Sequence, residues 1–355
     1  MRATYVLPIR WSDDAELDEL TRYLRSLPDW VELVVVDGSR GELFERHAEA
    51  WGALGRHLRP DPELATPMGK VGGVLTGIRE ASHEAVVIAD DDVRYDERAL
   101  ARLVTLLGLA DCVRPQNYFE ELPWHARLDT ARTLLNRSFG ADFPGTLAVR
   151  RSFLLAAGGY DGDVIFENLE LMRTVRAAGG KVISPLDLYV ARRPSSAEHF
   201  FSQRVRQAYD DFAIPARMGV WLGILPALGV ALARGNRRLP LAAAAASVGL
   251  AELGRRRAGG RHRFPASSSL LAPMWILERA TCSWPAVRSR LFRGGVMYGD
   301  HVVPRAASSM RHLRARFAVR RPAGDGNGLS ARSPEPDQLV GAVAEGLPSR
   351  SATAA

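Results

Sequence analysis

The sequence predicts an α/β fold, a mainly parallel sheet with helices on both faces, followed by an apolar helical region. Three observations carry this. Through roughly the first two hundred residues, short β-branched apolar runs alternate with stretches of helical spacing. Acidic residues bunch directly after two of those runs. Past about Ser195 the alternation stops, and long apolar stretches and arginines take over.

Taken in order, Tyr5–Ile9 reads as a strand and Ala15–Ser26 as a helix spaced by Leu17, Leu20 and Leu24. Val31–Val36 is a β-branched strand ending in Asp37-Gly38-Ser39, followed by a helix over Gly41–Leu54. Lys70–Ala81 reads as a further helix, and Ala85–Ala89 as a buried strand ending in Asp90, Asp91 and Asp92. Strands joined by crossover helices imply a parallel sheet covered on both faces. Polar residues just after strands belong at its carboxyl edge, where open α/β sheets bind ligands.

Hydrophobic residues make up 46% of the 355, enough for a sizeable core and too many for a wholly disordered chain. The two cysteines, Cys112 and Cys282, match no metal-ligand spacing and read as reduced residues. The formal net charge is +7. Nearly all of the positive charge is arginine, Lys70 and Lys181 being the only lysines. Much of this is plain composition bias, but basic charge beside apolar stretches also fits an anionic lipid surface. Nucleic acid is not expected as a partner, because no recognisable module or aromatic-basic platform is present. The opening MRATYVLPIRWSDD lacks the apolar core of a signal peptide, so the first domain is expected in the cytoplasm.

Three apolar stretches follow: Met218–Ala233, interrupted by Pro226, the alanine-rich Leu239–Leu253, and Phe264–Leu277. A spanning helix needs about 20 apolar residues, so each is short for that purpose. The loop Arg234–Arg238 is basic and prefers the cytoplasmic side, which argues against a two-pass hairpin. Helices lying on or dipping into the cytoplasmic leaflet satisfy both facts; a buried helical subdomain is the alternative. The expected organisation is residues 1–212 as one domain, 213–310 as an apolar, membrane-associated region, and 311–355 as a basic, then disordered tail.

Four clusters carry chemistry. Asp90, Asp91 and Asp92 repel one another, and such a cluster persists most readily by binding a cation; hard oxygen ligands suit Mg²⁺ or Mn²⁺, which also bridge phosphates. The alternative is an acidic turn capping a helix that starts near Glu97. Asp37 ends its strand as a carboxylate able to accept hydrogen bonds from a base or ribose, and Lys70 opens the helix before the acidic cluster as a possible nucleotide contact or a solvated surface lysine. Glu167 sits among apolar neighbours that would raise its pKa toward that of a useful base, whereas Glu170 also fits a first-turn helix acid. Gln203, Arg204 and Arg206 form a basic segment suited to phosphate or sugar, or to a lipid surface.

Together these resemble the family 2 glycosyltransferases over roughly residues 3 to 212. VVVDGS resembles the family's first nucleotide-binding aspartate motif and MGKVGGVLTGIREA its lysine-glycine helix. ADDDV resembles the DxD motif, with Asp90 and Asp92 as the pair. TLAVRRSFLLAAGGYDGDVIFENLEL resembles the acceptor segment leading to the base, and QRVRQ the QxxRW motif. The resemblance implies a GT-A fold and an inverting hexosyltransferase, binding a nucleotide diphosphate sugar, most commonly a UDP-sugar. Pro8, Asp37, Lys70, Asp90, Asp91, Gln203, Arg204 and Arg206 would hold the donor, Asp90 and Asp92 the metal, and Glu167 or Glu170 would serve in catalysis. A lipid or glycolipid acceptor at the cell membrane, with the catalytic domain cytoplasmic, completes the expectation.

Two positions depart from the pattern. Asn168 stands where the family carries its aspartate base, and an amide takes no proton at neutral pH. Gln207 replaces the tryptophan of QxxRW, which favours a single-transfer enzyme over a polysaccharide synthase. A catalytically silent, glycosyltransferase-like binding or scaffold protein is the second class that Asn168 leaves open. A nucleotidyltransferase is the third, and PIRWSDD is not the glycine-rich basic loop such an enzyme would need.

Overall fold

The computed structural model describes residues 1–299 and 301–320. Met1–Phe317 form one compact unit, and Ala318 opens a second, of which only residues 318–320 are described. The disordered tail expected past about Arg321 lies outside the described residues.

The chain runs β1 (Ala3–Ile9), α1 (Leu17–Arg25), β2 (Val31–Asp37), α2 (Glu42–Trp51), β3 (Arg56–Leu58), α3 (Gly69–Glu80) and β4 (Ala85–Ala89), as the apolar runs predict. There follow β5 (Val93–Arg94), α4 (Glu97–Leu106), β6 (Cys112–Val113), β7 (Gln116–Phe119), α5 (Trp124–Phe139), β8 (Thr146–Arg150), α6 (Arg151–Ala156), α7 (Glu167–Ala177), β9 (Val182–Ile183), β10 (Tyr189–Arg192), α8 (Ala197–Ser202) and α9 (Arg204–Tyr209). The main sheet has the order β3-β2-β1-β4-β8-β6-β9, with β8 antiparallel to both neighbours and every other pairing parallel.

Alternation along the central strands splits the core. Val6, Val34, Val36, Val86 and Ile88 pack on one face with α3 and α7. Tyr5, Leu7, Leu33, Val35 and Val87 pack on the other with α1 and α4. Pro8 is tolerated in a central strand because the β1–β4 register ends at Val6, before the missing N–H would matter. The glycines of α3 serve close packing: a Cβ at Gly77 would lie 2.3 Å from Val6 Cγ1, so only glycine lets the helix settle on β1.

A second, three-stranded sheet, β5-β10-β7, forms where the chain leaves the acidic cluster. β10 pairs with β5 so that Arg192 stands opposite Val93, and Arg193 N–H donates to Asp92 O at 2.8 Å. Strands two to four residues long leave little trace in the sequence, yet this pairing fixes what surrounds Asp92.

The C-terminal stretches form α10 (Pro215–Ala233), α11 (Arg238–Arg256), α12 (Ala266–Leu270) and α13 (Ala272–Arg293), and then the hairpin β11 (Val296–Tyr298) and β12 (His301–Val303). The expected stretch Phe264–Leu277 is broken at Leu271, and α13 runs on to Arg293 with Pro285 inside it. These helices share a core with the α/β part: Leu128, Ala131 and Leu134 of α5 pack with Ala251, Phe264, Ala272 and Trp275. One helix among the described residues, Pro215–Ala233, is long and apolar enough to cross a membrane, with a mean hydropathy of 1.6. It is not a buried core helix: 11% of that window is buried, and Val220, Val230 and Leu232 face outward, as do Leu239 and Leu241 of α11. Both cysteines are free.

Candidate active site

The carboxyl ends of β1, β2 and β4 open into a cleft of about 740 Å³. Pro8, Ile9 and Arg10 line one part of it with Gly38; Lys70 and the three aspartates line the middle; Phe166, Glu167 and Asn168 at the start of α7 form a wall. Gln203, Arg206, Gln207 and Asp210, with Arg217 and Arg279 from the C-terminal helices, complete the far side, and Met297–Gly299 form part of the rim.

Each aspartate has a different environment. The Asp90 N–H donates to Gly145 O at 2.9 Å, and Asp90 Oδ1 pairs with Lys70 Nζ at 2.5 Å. A Cβ at Gly145 would lie 2.7 Å from Asp90 Oδ2, so a side chain there would displace the carboxylate. Asp91 Oδ2 accepts the Trp11 indole N–H at 2.6 Å. Asp92 Oδ2 accepts from Arg192 Nε at 2.6 Å, whereas Oδ1 is buried with no partner. Burial, reinforced by Asp90 and Asp91 against the opposing Arg192, pushes the Asp92 carboxyl up to about 6. A buried carboxylate oxygen without a donor is costly, and a divalent cation would satisfy it. The donor set therefore fits a hard metal ion. The helix-capping alternative goes to another residue: Asp96 caps α4, its side chain accepting from Ala99 N–H.

His199, which the motifs did not single out, lines the same cleft. Burial and Arg206 lower its pKa, which favours the neutral imidazole that ligates metals.

Lys70 lies between Asp90 and Glu167, its Nζ 2.6 Å from Glu167 Oε1. Burial works against its charge, but the two carboxylates more than offset this and hold the ammonium well above the ordinary lysine value. Glu167 therefore does not stand in the purely apolar surroundings expected of it. Asn168 lines the cleft and its Nδ2 donates to Pro144 O at 3.0 Å.

Three expected residues lie off the cleft wall. Asp37 is fully buried, its Oδ2 accepting from His47 Nδ1 at 2.6 Å and His57 Nε2 at 3.0 Å and its Oδ1 from Ser39 N–H at 2.8 Å. Burial is outweighed by these donors, and the carboxyl is held well below its usual range. The Asp37, His47 and His57 atoms are also close enough to hold a metal, but their hydrogen bonds already tie β2 to α2 and β3. Asp37 thus shapes the turn that presents Gly38, rather than reaching a ligand itself. Glu170 points to the loop between β12 and the helix Met310–Arg320, where its Oε2 accepts from Ser308 N–H at 2.6 Å. Arg204 is 5% exposed, bonded to Phe200 O at 3.0 Å and paired with Asp129 at 3.5 Å, and so braces α8 against α5. Pro8, Lys70, Asp90, Asp91, Asp92, Glu167, Gln203 and Arg206 do line the cleft.

No family model and no curated protein matches the chain. Solved structures do. The mannosyltransferase PcManGT from Pyrobaculum calidifontis, in complex with GDP-Man and Mn²⁺, is similar at 21% identity over 82% of this chain and 87% of that one, with a TM-score of 0.48. GalNAc-T7 with UDP, GalNAc and Mn²⁺ is similar at 15% identity, over 56% of this chain and 44% of its own, with a TM-score of 0.42. S. aureus TarS is similar at 15% identity, over 59% of this chain and 39% of its own, with a TM-score of 0.39.

Sequence reasoning missed Arg192, His199 and Asp210. Arg192 ends a strand too short to see, and His199 sits alone on a six-residue helix. Asp210 follows QRVRQAY directly and was legible as an acid, but nothing local marks it as facing the cleft.

Proposed function

We propose that this chain is an inverting, metal-dependent glycosyltransferase of family 2 and GT-A type, moving a sugar from a UDP-sugar to a lipid-linked acceptor. The observation that carries the reading is the bare, buried Oδ1 of Asp92 at the carboxyl edge of the sheet, with Asp90 and Lys70 beside it. Asp90 and Asp92 would hold Mg²⁺ or Mn²⁺, which supplies charge neutralisation to the departing diphosphate. The β1 end at Pro8 and the Gly38 turn offer backbone to the base and ribose. Lys70 and Arg206 offer positive charge along the donor, and Gln203, bonded to Arg206 Nε, orients that guanidinium. A silent binding protein remains the reading favoured by Asn168 alone.

Purified protein incubated with membrane vesicles and a panel of UDP- and GDP-sugars is expected to release one nucleoside diphosphate in an Mn²⁺-dependent manner. Release no faster than from heat-inactivated protein, with every donor, would sink the reading.

The outward Val220, Val230, Leu232, Leu239 and Leu241, beside the basic Arg234–Arg238 loop, support a cytoplasmic surface anchor. Flotation with anionic vesicles is expected to carry the protein upward. Leu239→Glu with Leu241→Glu should weaken binding about tenfold or more, because burying a leucine contributes about 1.5–3 kcal/mol. A protein that never floats contradicts the anchor.

A further inference from the structure

The transfer step needs a proton acceptor, and the position that supplies it in the family is Asn168. Its Nδ2 donates to Pro144 O, and an amide oxygen is not basic at neutral pH. Among the cleft's other carboxylates, Asp90, Asp91 and Asp92 already hold Lys70, Trp11 and Arg192, Glu167 gives its Oε1 to Lys70, Asp129 pairs with Arg132 and Arg204, and Asp211 pairs with Arg217 and Arg279.

One carboxylate on the wall is differently placed. Asp210 opens the short helical turn Asp210–Ala213 that follows α9, and it lines the cleft. Its Oδ1 is buried and accepts no hydrogen bond. The groups around it come from four elements besides its own turn: Arg206 from α9, Arg279 from α13, Arg132 from α5 and Glu167 from α7, with Asp211 adjacent in sequence.

We infer that Asp210 is the general base of this site, taking the acceptor's hydroxyl proton in place of the residue that Asn168 replaces. This rests on the transferase reading above. In the step, the acceptor O–H gives its proton to the Asp210 carboxylate while its oxygen bonds to the anomeric carbon from the face opposite the diphosphate. The anomeric C–O bond breaks, and its electron pair leaves on the terminal phosphate oxygen of the nucleoside diphosphate. The configuration inverts, and the carboxylic acid returns its proton to water. Burial, with Glu167 and Asp211 adding to it and Arg206 and Arg279 opposing, pushes the Asp210 carboxyl up to about 7. A base with that value balances availability against driving force near neutral pH.

The sign of the pH dependence follows. Below about 7 Asp210 is protonated and cannot act; above it the carboxylate is free. With water as acceptor, Mn²⁺-supported hydrolysis of UDP- and GDP-sugars by wild type should rise with pH through that value and level off. Asp210→Asn should lose this rise and about 10²- to 10⁴-fold in kcat. It should still bind donor within about twofold by calorimetry, because uniform binding is untouched. Asp210→Glu should recover part of the rate with a displaced pH profile. Infrared difference titration gives a readout independent of turnover: a protonated-carboxyl band lost near neutral pH in wild type and missing in Asp210→Asn. Wild-type turnover and an unchanged pH limb in Asp210→Asn would overturn the assignment and leave the transferase reading intact. An infrared titration identical in wild type and Asp210→Asn would also overturn it. Wild type that binds no nucleotide sugar, with Mn²⁺ present, would overturn the transferase reading and the base with it.

Discussion

Asp92→Ala is expected to abolish Mn²⁺-dependent donor turnover, with a loss of about a thousandfold or more. Asp92 Oδ1 is buried and unpartnered, and burial together with Asp90 and Asp91 lifts its carboxyl to about 6. A cation would relieve that cost and neutralise the leaving diphosphate, worth several kcal/mol in the transition state. Because proton and metal compete for the same oxygens, Mn²⁺ affinity in wild type should fall as pH drops through about 6. Asp92→Asn keeps the shape and removes the charge; it should fold, bind Mn²⁺ poorly and turn over little. Full turnover in either variant would remove Asp92 from the metal site.

Lys70→Met is expected to have the next largest effect, on donor affinity and on stability together. Lys70 bridges Asp90 Oδ1 at 2.5 Å and Glu167 Oε1 at 2.6 Å, with side-chain exposures of 17%, 24% and 11%. Removing the ammonium leaves the Asp90 and Glu167 carboxylates without their shared cation in a partly exposed site. Breaking such a pair costs about 3–5 kcal/mol when fully buried; with this partial exposure about 2 kcal/mol is the expected loss, read from urea unfolding midpoints. Donor affinity should fall by roughly a hundredfold, since the charge beside the diphosphate is gone. An unfolding midpoint and donor affinity both equal to wild type would show the bridge to be incidental.

The parts of this fold that were legible in the sequence are those written in local pattern. β1, β2 and β4 appear as apolar β-branched runs, and α3 appears as a glycine-punctuated helix because it must lie directly against Val6. The acidic cluster was visible because three adjacent carboxylates have few structural uses. What the sequence could not convey depends on partners far along the chain. Asp37 reads as an exposed ligand, but His47 and His57 close over it from α2 and β3. Glu167 and Glu170 share the first turn of α7, and only packing decides that one meets Lys70 while the other meets Ser308. Arg192 reaches Asp92 through the β5–β10 pairing, across 100 residues. The helical stretches after Pro215 carried their apolarity openly and suggested surface-lying helices over a buried subdomain, and their leucines do face outward, but no local signal fixed which side of each helix does so.

The central claim is that the cleft over Asp90 and Asp92 binds a nucleotide sugar through a divalent cation. Calorimetric titration of purified, folded protein with a panel of UDP- and GDP-sugars, with and without Mn²⁺, tests it most directly. Metal-dependent binding of one nucleotide class, lost in Asp92→Ala, is the predicted result. No binding by any donor in the presence of Mn²⁺, or binding indifferent to both metal and Asp92, would contradict it.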